Sequence, residues 1–596
     1  MKRLTLSLTI VASLGLSVPA MSASFPSAPS VGTLGYIEID PYGNSPLTAL
    51  IDLNGKVLSD VSVRVHGKPN GGVDISYPVG KKALLQHDGV PIFGLYPDYR
   101  NTITVDFTLD GKKISETYQV MTSSLVNKHM DSRNITALQE IEVKHVEPGF
   151  EDRLYLNNSH TYIAQGTDLH WAGRKSKSDK EKGAWMAAPA QGAASFDSAP
   201  VTYIVDTQGE YRWWLDPDAT YDSRGSDIGK RGYLMGMHEV ENGQFTWVQG
   251  QDWGYFNMLG QVETYKLPRG YVDGSHEVLP MGNGNVLVRA AKRNYLNPEG
   301  DVVMTVRDHI LELDARGHLV DTWVLPEILD PYRDALLLAL DLGAVCVNVS
   351  FDDAGKTLDK HETEAPYGDI PGVGAGRNWA HVNSISYDAS DDSIVLSVRH
   401  QGVVKIGRDK EVKWILAPSV GWNEALSKKL LTPVDHKGKA INCTNLGKCD
   451  GDFDFTYSQH SAWLNDKGTL TVLDNGGGRH YTQPALPSMN YTRFVEYKIN
   501  PKKMTVEQTW EYGKERGFDW FSPITSNVEY RSDRNTIFGF NGSVKLGEPG
   551  ARTIGRVNEI DYDTKKVMVE IDMHHEKPNG IHYRGVIINP TTLFSD

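Results

Sequence analysis

The side chains of this chain best suited to chemistry are imidazoles near a guanidinium. His276, His381 and His460 each stand just ahead of a turn built on Gly, Asn or Asp and a strand such as Asn285-Val-Leu-Val-Arg, Ser393-Ile-Val-Leu-Ser-Val-Arg or Thr469-Leu-Thr-Val-Leu-Asp. His381 and Asn383 are two apart, which on a strand turns both to one face, and Arg399 closes a second strand on the face of Ser393, Val395 and Ser397. An arginine, an amide and imidazoles aimed at one point make an anion site, because guanidinium offers a planar fork of donors to sulfate or phosphate oxygens. One histidine on a strand is most often just hydrogen-bonded structure. Three at equivalent positions, with an arginine beside one, shift the reading toward a site. His460 follows a loop bracketed by Cys443 and Cys449 and the run Asp452-Phe453-Asp454-Phe455, so it reads as a nucleophile held by rigid neighbours.

Positioning these groups requires strands. From Gly35 to about Ser124, short alternating runs are separated by Asn54-Gly, Asn70-Gly-Gly and Asp110-Gly turns, which predicts a small antiparallel β-sandwich over 25–131. The more polar 132–148 reads as a linker, with one helical turn at 135–140. Beyond it, outer hairpins recur six times: from Tyr203, from Gly260, from Ile310, from Val404, from Phe494 and from Asn558. A sheet repeated radially around a channel accounts for them, so the fold class is all-β, a six-bladed β-propeller over 132–596 behind the sandwich. A stack of two sandwiches is the competing arrangement. Inner strands beginning at His238, His276, His381, His460, Ser526 and His582 favour the propeller, because equivalent positions in radial sheets converge on the channel. Helix is expected only in inserts, 330–342 and 423–431.

Composition limits the partners. Sixty-one basic against 75 acidic residues give a formal charge of −14, with no long basic run, which disfavours nucleic acid and anionic membranes. Lys2 and Arg3 precede an apolar run and small residues, so 1–24 is predicted to be a secretory signal peptide. No later stretch approaches the roughly 18 consecutive apolar residues of a membrane span. Of three cysteines, Cys346 sits in an apolar run and reads as a small buried hydrophobe. Cys443 and Cys449 lie in a polar loop and are expected to form a disulfide in an oxidising compartment.

These residues resemble the bacterial periplasmic arylsulfate sulfotransferases over essentially the whole mature chain. The resemblance runs through Asp40-Pro-Tyr-Gly-Asn, Pro148-Gly-Phe-Glu-Asp-Arg-Leu-Tyr-Leu, Tyr211-Arg-Trp-Trp-Leu-Asp and Arg377-Asn-Trp-Ala-His-Val-Asn-Ser-Ile. It continues in Arg399-His-Gln-Gly-Val-Val-Lys-Ile-Gly-Arg-Asp-Lys, Asp452-Phe-Asp-Phe-Thr-Tyr and Ser522-Pro-Ile-Thr-Ser. It implies a homodimer, matured by a disulfide-forming oxidase, that moves a sulfuryl group from aryl sulfates to phenols without a nucleotide donor or other cofactor. It puts His460 on the transiently sulfurylated histidine, and His276, His381, Asn383, Arg399 and Thr525 on the sulfuryl-binding residues. It also puts Cys443 and Cys449 on the family's disulfide.

The residue types suit that chemistry. Neutral imidazole can attack sulfur, and a sulfohistidine splits one transfer into two, giving ping-pong kinetics. Phenol, with a pKa of about 10, leaves more easily beside an acid. His381 or His276 could serve, and His381 is favoured because Asn383 can fix one side of the site. Trp379, Tyr457 and Phe521 could line a phenol slot, although core packing is the commoner role of such rings. Two other functions fit the same side chains: a metal-dependent hydrolase or lyase with His276, His381 and His460 as ligands, and a propeller that only binds sulfated glycans.

Overall fold

The computed structural model describes residues 27–28, 32–125, 127–128, 135–136, 138–160, 200–220, 234–240, 243–333, 373–481, 491–546, 548, 550–575 and 580–596. The expected signal peptide, Cys346 and most of the expected insert at 330–342 lie outside them. Nearly all regular structure is β, in a β-propeller-like arrangement.

The N-terminal part holds two four-stranded sheets. One joins Ser27–Ala28, Ile37–Ile39, Thr48–Asp52 and Gly89–Phe93; the other joins Ile75–Val79, Ser59–Val65, Arg100–Leu109 and Lys112–Met121. Alternation does the folding here: Ser59–Val65 buries Val61, Val63 and Val65 and exposes the residues between them. Asp110 and Gly111 have φ of 48° and 75°, the left-handed pair that a tight hairpin between twisted strands requires. A helix, Lys81–His87, interrupts this part, ended by Asp88 in a left-handed conformation. The buried faces of both sheets share one apolar cluster that runs on into Leu154, Trp213 and Phe256. The chain's last residues fasten here too, with Gly80 N–H donating to the Phe594 carbonyl.

Six further sheets of four or five strands follow, with two two-stranded ones beside them, and each of the six contains one of the hairpins expected from the sequence. Their inner edges are Ile581–Ile588, Met235–Glu239, Val278–Pro280, Val382–Asp388, His460–Leu464 and Asn527–Arg531. These strands pack each on the next sheet in turn, and the sixth sheet packs on Ile581–Ile588 of the first. Both ends of the chain close the circle. Ile581–Ile588 pairs with Leu154–His160, and Glu140–Val146 forms the outer edge of the sixth sheet beside Val567–His574.

That last strand corrects the sequence reading of 132–148, where no helical turn forms among the described residues: Ile135–Thr136 is a short strand and Glu140–Val146 a full one. Its side chains are mostly exposed, so no buried face marked it as a strand. The helical insert expected at 423–431 shrinks to Glu424–Ser427, capped by Asn423, whose Oδ1 accepts from Leu426 N–H at 3.0 Å. The next residues then extend to Thr432–Val434, which pairs in parallel with Thr505–Tyr512.

Candidate active site

His460 opens the inner strand of the fifth sheet and is only 4% exposed. Its Nδ1 lies 2.7 Å from Asn475 Oδ1, at the far end of the neighbouring strand's turn. Asn475 has its amide orientation fixed elsewhere, since Nδ2 donates to the carbonyls of Ser522 at 2.7 Å and Thr525 at 3.3 Å. Arg399 reaches across from the fourth sheet. Its Nη1 donates to the Ser458 carbonyl at 2.7 Å and Nη2 to the Pro523 carbonyl at 3.2 Å, which sets the guanidinium 3.4 Å from His460 Nδ1.

His276 and His381 meet ring to ring, nearly perpendicular, with centroids 5.2 Å apart. His276 Nδ1 lies 2.7 Å from Ser275 Oγ and 3.2 Å from Arg289 Nη2. His381 Nδ1 lies 3.0 Å from Asn378 Nδ2, and its ring is 5.2 Å from that of His400. Thr525, on the next loop, donates its hydroxyl to the Ile524 carbonyl at 2.6 Å.

Asn383 corrects one step of the sequence argument. His381 precedes the strand Val382–Asp388 with a φ of 51°, and the pairing register shifts between Val382 and Ser384, so a two-residue alternation does not connect them. Asn383 turns to the fifth sheet instead, where Nδ2 donates to the Gln459 carbonyl at 2.8 Å, directly before His460. Its Oδ1 is buried with no hydrogen-bond partner. Nδ2 therefore braces the backbone ahead of His460.

Backbone strain gathers around these residues. His276, Arg307, His381, Ser458, Ser461, Thr525 and Ser526 all have φ between 49° and 85°, a region costly for residues with a side chain. All but Arg307 lie where the chain turns into or along an inner strand.

Burial and positive neighbours keep the imidazoles neutral. His460 is held well below the usual histidine range by desolvation, then by Arg399. His381 is depressed by burial, then Arg307 and His400; His276 by burial, then Arg289, Arg307 and His460. His400 is pushed down to about 3. Uncharged rings with available lone pairs beside guanidinium groups suit nucleophilic attack on an anionic ester.

Sequence reasoning missed Asn475, Asn378, Arg307 and His400. Asn475 starts an Asn-Gly-Gly-Gly run that reads only as a turn, and Arg307 lies in a bend ahead of His309–Leu313, linked to the site by the Val382 N–H donating to its carbonyl at 3.1 Å. Two inner-strand histidines fall elsewhere. His238 binds the buried Glu277, which also holds Arg584 at 2.8 Å, and His582 is sealed beside His575, with centroids 5.6 Å apart. The three rings proposed for a phenol slot serve packing: the Trp379 indole donates to Asp308, Tyr457 to the Leu446 carbonyl, and Phe521 stacks on Phe518. Cys443 and Cys449 are disulfide-bonded.

The Arylsulfotransferase (ASST) family model matches residues 139–584, and the arylsulfotransferase Ig-like domain model matches 36–123. The chain belongs to the arylsulfotransferase family. Among its relatives, arylsulfate sulfotransferase AssT of Escherichia coli is 59% identical over 98% of each chain. Arylsulfate sulfotransferase AssT of Lelliottia amnigena is 56% identical over 100% of this chain and 99% of that one. A quinoprotein alcohol dehydrogenase-like structure from Bacteroides thetaiotaomicron covers 96% of this chain and 98% of its own at 10% identity, but its TM-score of 0.30 carries no argument.

Membership in the arylsulfotransferase family displaces the glycan-binding and metal-hydrolase alternatives. Among the described residues, the side chains whose donor atoms converge closely enough for an ion are Glu142, Asp572 and His574, none of them at this site. Asp572 there is already engaged by Arg556 through two charged contacts.

Proposed function

We propose that this arylsulfotransferase moves the sulfuryl group of an aryl sulfate to a phenol by a ping-pong route through sulfurylated His460. The observation that carries this is the hydrogen bond of His460 Nδ1 to Asn475 Oδ1 beside Arg399, which leaves Nε2 as the nitrogen with a lone pair. Arg399, His276 and Thr525 bind sulfuryl oxygens, Asn383 braces the nucleophile's backbone, and His381 attends the phenol oxygen. Negative charge grows on those oxygens and on the departing phenolate, so fixed positive donors supply most of the acceleration.

The surrounding architecture is read with it. The six sheets are six blades, 132–596; the two N-terminal sheets are a small β-sandwich domain, 25–131; and 1–24 is a signal peptide that delivers the enzyme to the periplasm. There an oxidase closes Cys443–Cys449 and the chain pairs as a homodimer. The deciding experiment is intact mass spectrometry with an aryl sulfate alone. One added sulfuryl group on His460, discharged by phenol, is expected; an unmodified protein that still turns over when phenol is present would defeat the mechanism.

A further inference from the structure

Hydrogen-bond partners dictate where the single proton of a neutral imidazole sits, and they dictate it differently at the two ends of this site. Asn475 spends both amide hydrogens on the carbonyls of Ser522 and Thr525, so what it turns to His460 Nδ1 is an acceptor; at 2.7 Å this contact outweighs the longer approach of Arg399 Nη1 at 3.4 Å, and the ring donates. Asn378 turns Nδ2 to His381 Nδ1 at 3.0 Å. An amide N–H only donates, so this Nδ1 accepts and the proton of His381 lies on Nε2. The backbone at Asn378 is anchored as well, its main-chain carbonyl lying 2.8 Å from His400 Nδ1. Arg289 Nη2 constrains His276 Nδ1 in the same sense, at 3.2 Å.

We propose that Asn475 and Asn378 are positioning residues that set opposite tautomers, so that His460 presents a lone pair while His381 presents an N–H, and that the acceptor therefore enters as its phenolate. This rests on the sulfohistidine reading and deepens it. In the first half, the Nε2 pair of His460 forms the N–S bond as the S–O pair departs with the aryl oxygen. Nδ1 keeps its proton, so the adduct is an N-sulfoimidazolium whose charge faces Asn475 Oδ1. The phenolate leaves with a hydrogen bond from His381 Nε2–H, and no proton changes hands. In the second half a phenolate forms the O–S bond and the N–S pair returns to Nε2. The acceptor's proton has gone to solvent beforehand, because an N–H on His381 Nε2 leaves no base there. Asn475 also matters to the return step. An amide cannot take the Nδ1 proton, so the ring of the adduct stays cationic and labile and departs as neutral imidazole.

The charged and titratable groups facing His381 include Arg307, His400, His276 and Arg399, and those facing His460 include Arg399, Arg584 and His276. The arginines and neutral histidines among them offer a phenolate positive or polar company.

The test begins with wild-type protein carrying a preformed adduct, discharged by a series of phenols of graded acidity across pH. The break in each profile is expected to follow the phenol, moving about one pH unit per unit of its pKa. A break at one fixed pH for every phenol would reveal an enzyme base and overturn the proposal. Asn378→Asp replaces the donor by an acceptor and turns His381 over. Its discharge rate is expected to fall about 10–100-fold and its break to stop following the phenol; a profile like wild type overturns the role of Asn378. Nitrogen-15 histidine spectra supply an independent reading. Subtracting the His460→Asn spectrum is expected to remove an Nδ1–H tautomer, and subtracting the His381→Asn spectrum an Nε2–H tautomer; the reverse result overturns the assignment. Should the variants not fold, the wild-type series still decides. If no adduct forms at all, the sulfohistidine reading fails by mass, while the tautomers remain readable by resonance.

Discussion

At the end where the inner strands begin, His276, His381 and His460 stand neutral among Arg289, Arg307 and Arg399. At the end where the same strands finish, a cavity of about 490 Å³ is lined by Glu239, Asp466, Glu529 and Asp533, with Arg531 and Arg584 the arginines among them. Between the two lies a buried layer in which Glu277 neutralises Arg584 and holds His238. One set of strands thus offers an anion a positive end and a carboxylate-rich one. Sheet geometry supplies convergence at both ends, and the left-handed residues and fixed amides turn convergence into a site at only one. Aryl sulfates are anions, so the field of the chain, acidic overall, must be overcome locally at the histidine end.

The largest break in that contrast is His460→Asn. It keeps a polar side chain of similar reach but has no basic nitrogen to attack sulfur, so turnover is expected to fall on the order of 10⁴-fold or more while donor binding survives. Steady-state rates and donor titration of the same sample check it; retained turnover would move the nucleophile elsewhere. Next is Arg399→Lys. The guanidinium is pinned by two carbonyls and faces the nucleophile, and an ammonium cannot keep both anchors and still present a planar fork. A loss of about 10²-fold in kcat/KM is expected.

Acid attacks the same end through stability. His276, His381, His400 and His460 are held below their ordinary value of 6.5 when folded, by burial first, while the unfolded chain titrates near that value. Below 6.5 the unfolded state therefore binds more protons. Stability is fully present above that pH and is lost as pH falls toward the folded values, about 3 for His400. Each imidazole contributes at most about 1.4 kcal/mol per pH unit. Urea midpoints at pH 7.5 and pH 5 are expected to differ clearly, and equal midpoints would contradict the burial argument.

The disulfide acts one step further out. Tyr457, three residues before His460, donates to the Leu446 carbonyl inside the Cys443–Cys449 loop at 2.9 Å. Opening the loop by Cys449→Ser is expected to cost about 2 kcal/mol and to slow turnover several-fold through the loosened Tyr457. Thermal midpoint and rate measured together check this. A shifted midpoint with an unshifted rate would confine the bridge to stability.

Much of this was legible in the sequence. The outer hairpins declared themselves because apolar, β-branched and aromatic runs flank turns that need Gly, Asn or Asp; Tyr203 to Leu215 is one such pair, with Tyr211–Leu215 buried throughout rather than on alternate residues. Glu140–Val146 did not, because an outer edge strand with little burial carries no such pattern, and neither did the short helix Lys81–His87, whose ends are set by Gly80 and Asp88 rather than by a long periodic face. The histidines were legible as repeated polar residues at strand beginnings. Asn475, 15 residues from His460, was not, because only tertiary contact shows what a turn asparagine faces. Asn383 was placed by strand periodicity, and the register shift beside it is why that inference went astray.

The smallest expected effect sharpens the comparison most. Asp466 is exposed at the cavity end, and its Oδ2 accepts from Ser532 Oγ at 3.1 Å. Asp466→Lys changes that end by two charges without touching a histidine. Charges in solvent are screened over about 8 Å at physiological ionic strength, and the buried Glu277–Arg584 layer stands between the ends. The KM for an aryl sulfate is therefore expected to shift less than about 2-fold in 150 mM salt, by the surface-charge magnitude, with kcat unchanged. Lowering the salt lengthens the screening distance, so any residual effect should grow there and should take the form of a lower KM. A large drop in KM already at physiological salt would show the two ends sharing one field, and the donor's path would then have to include the acidic cavity.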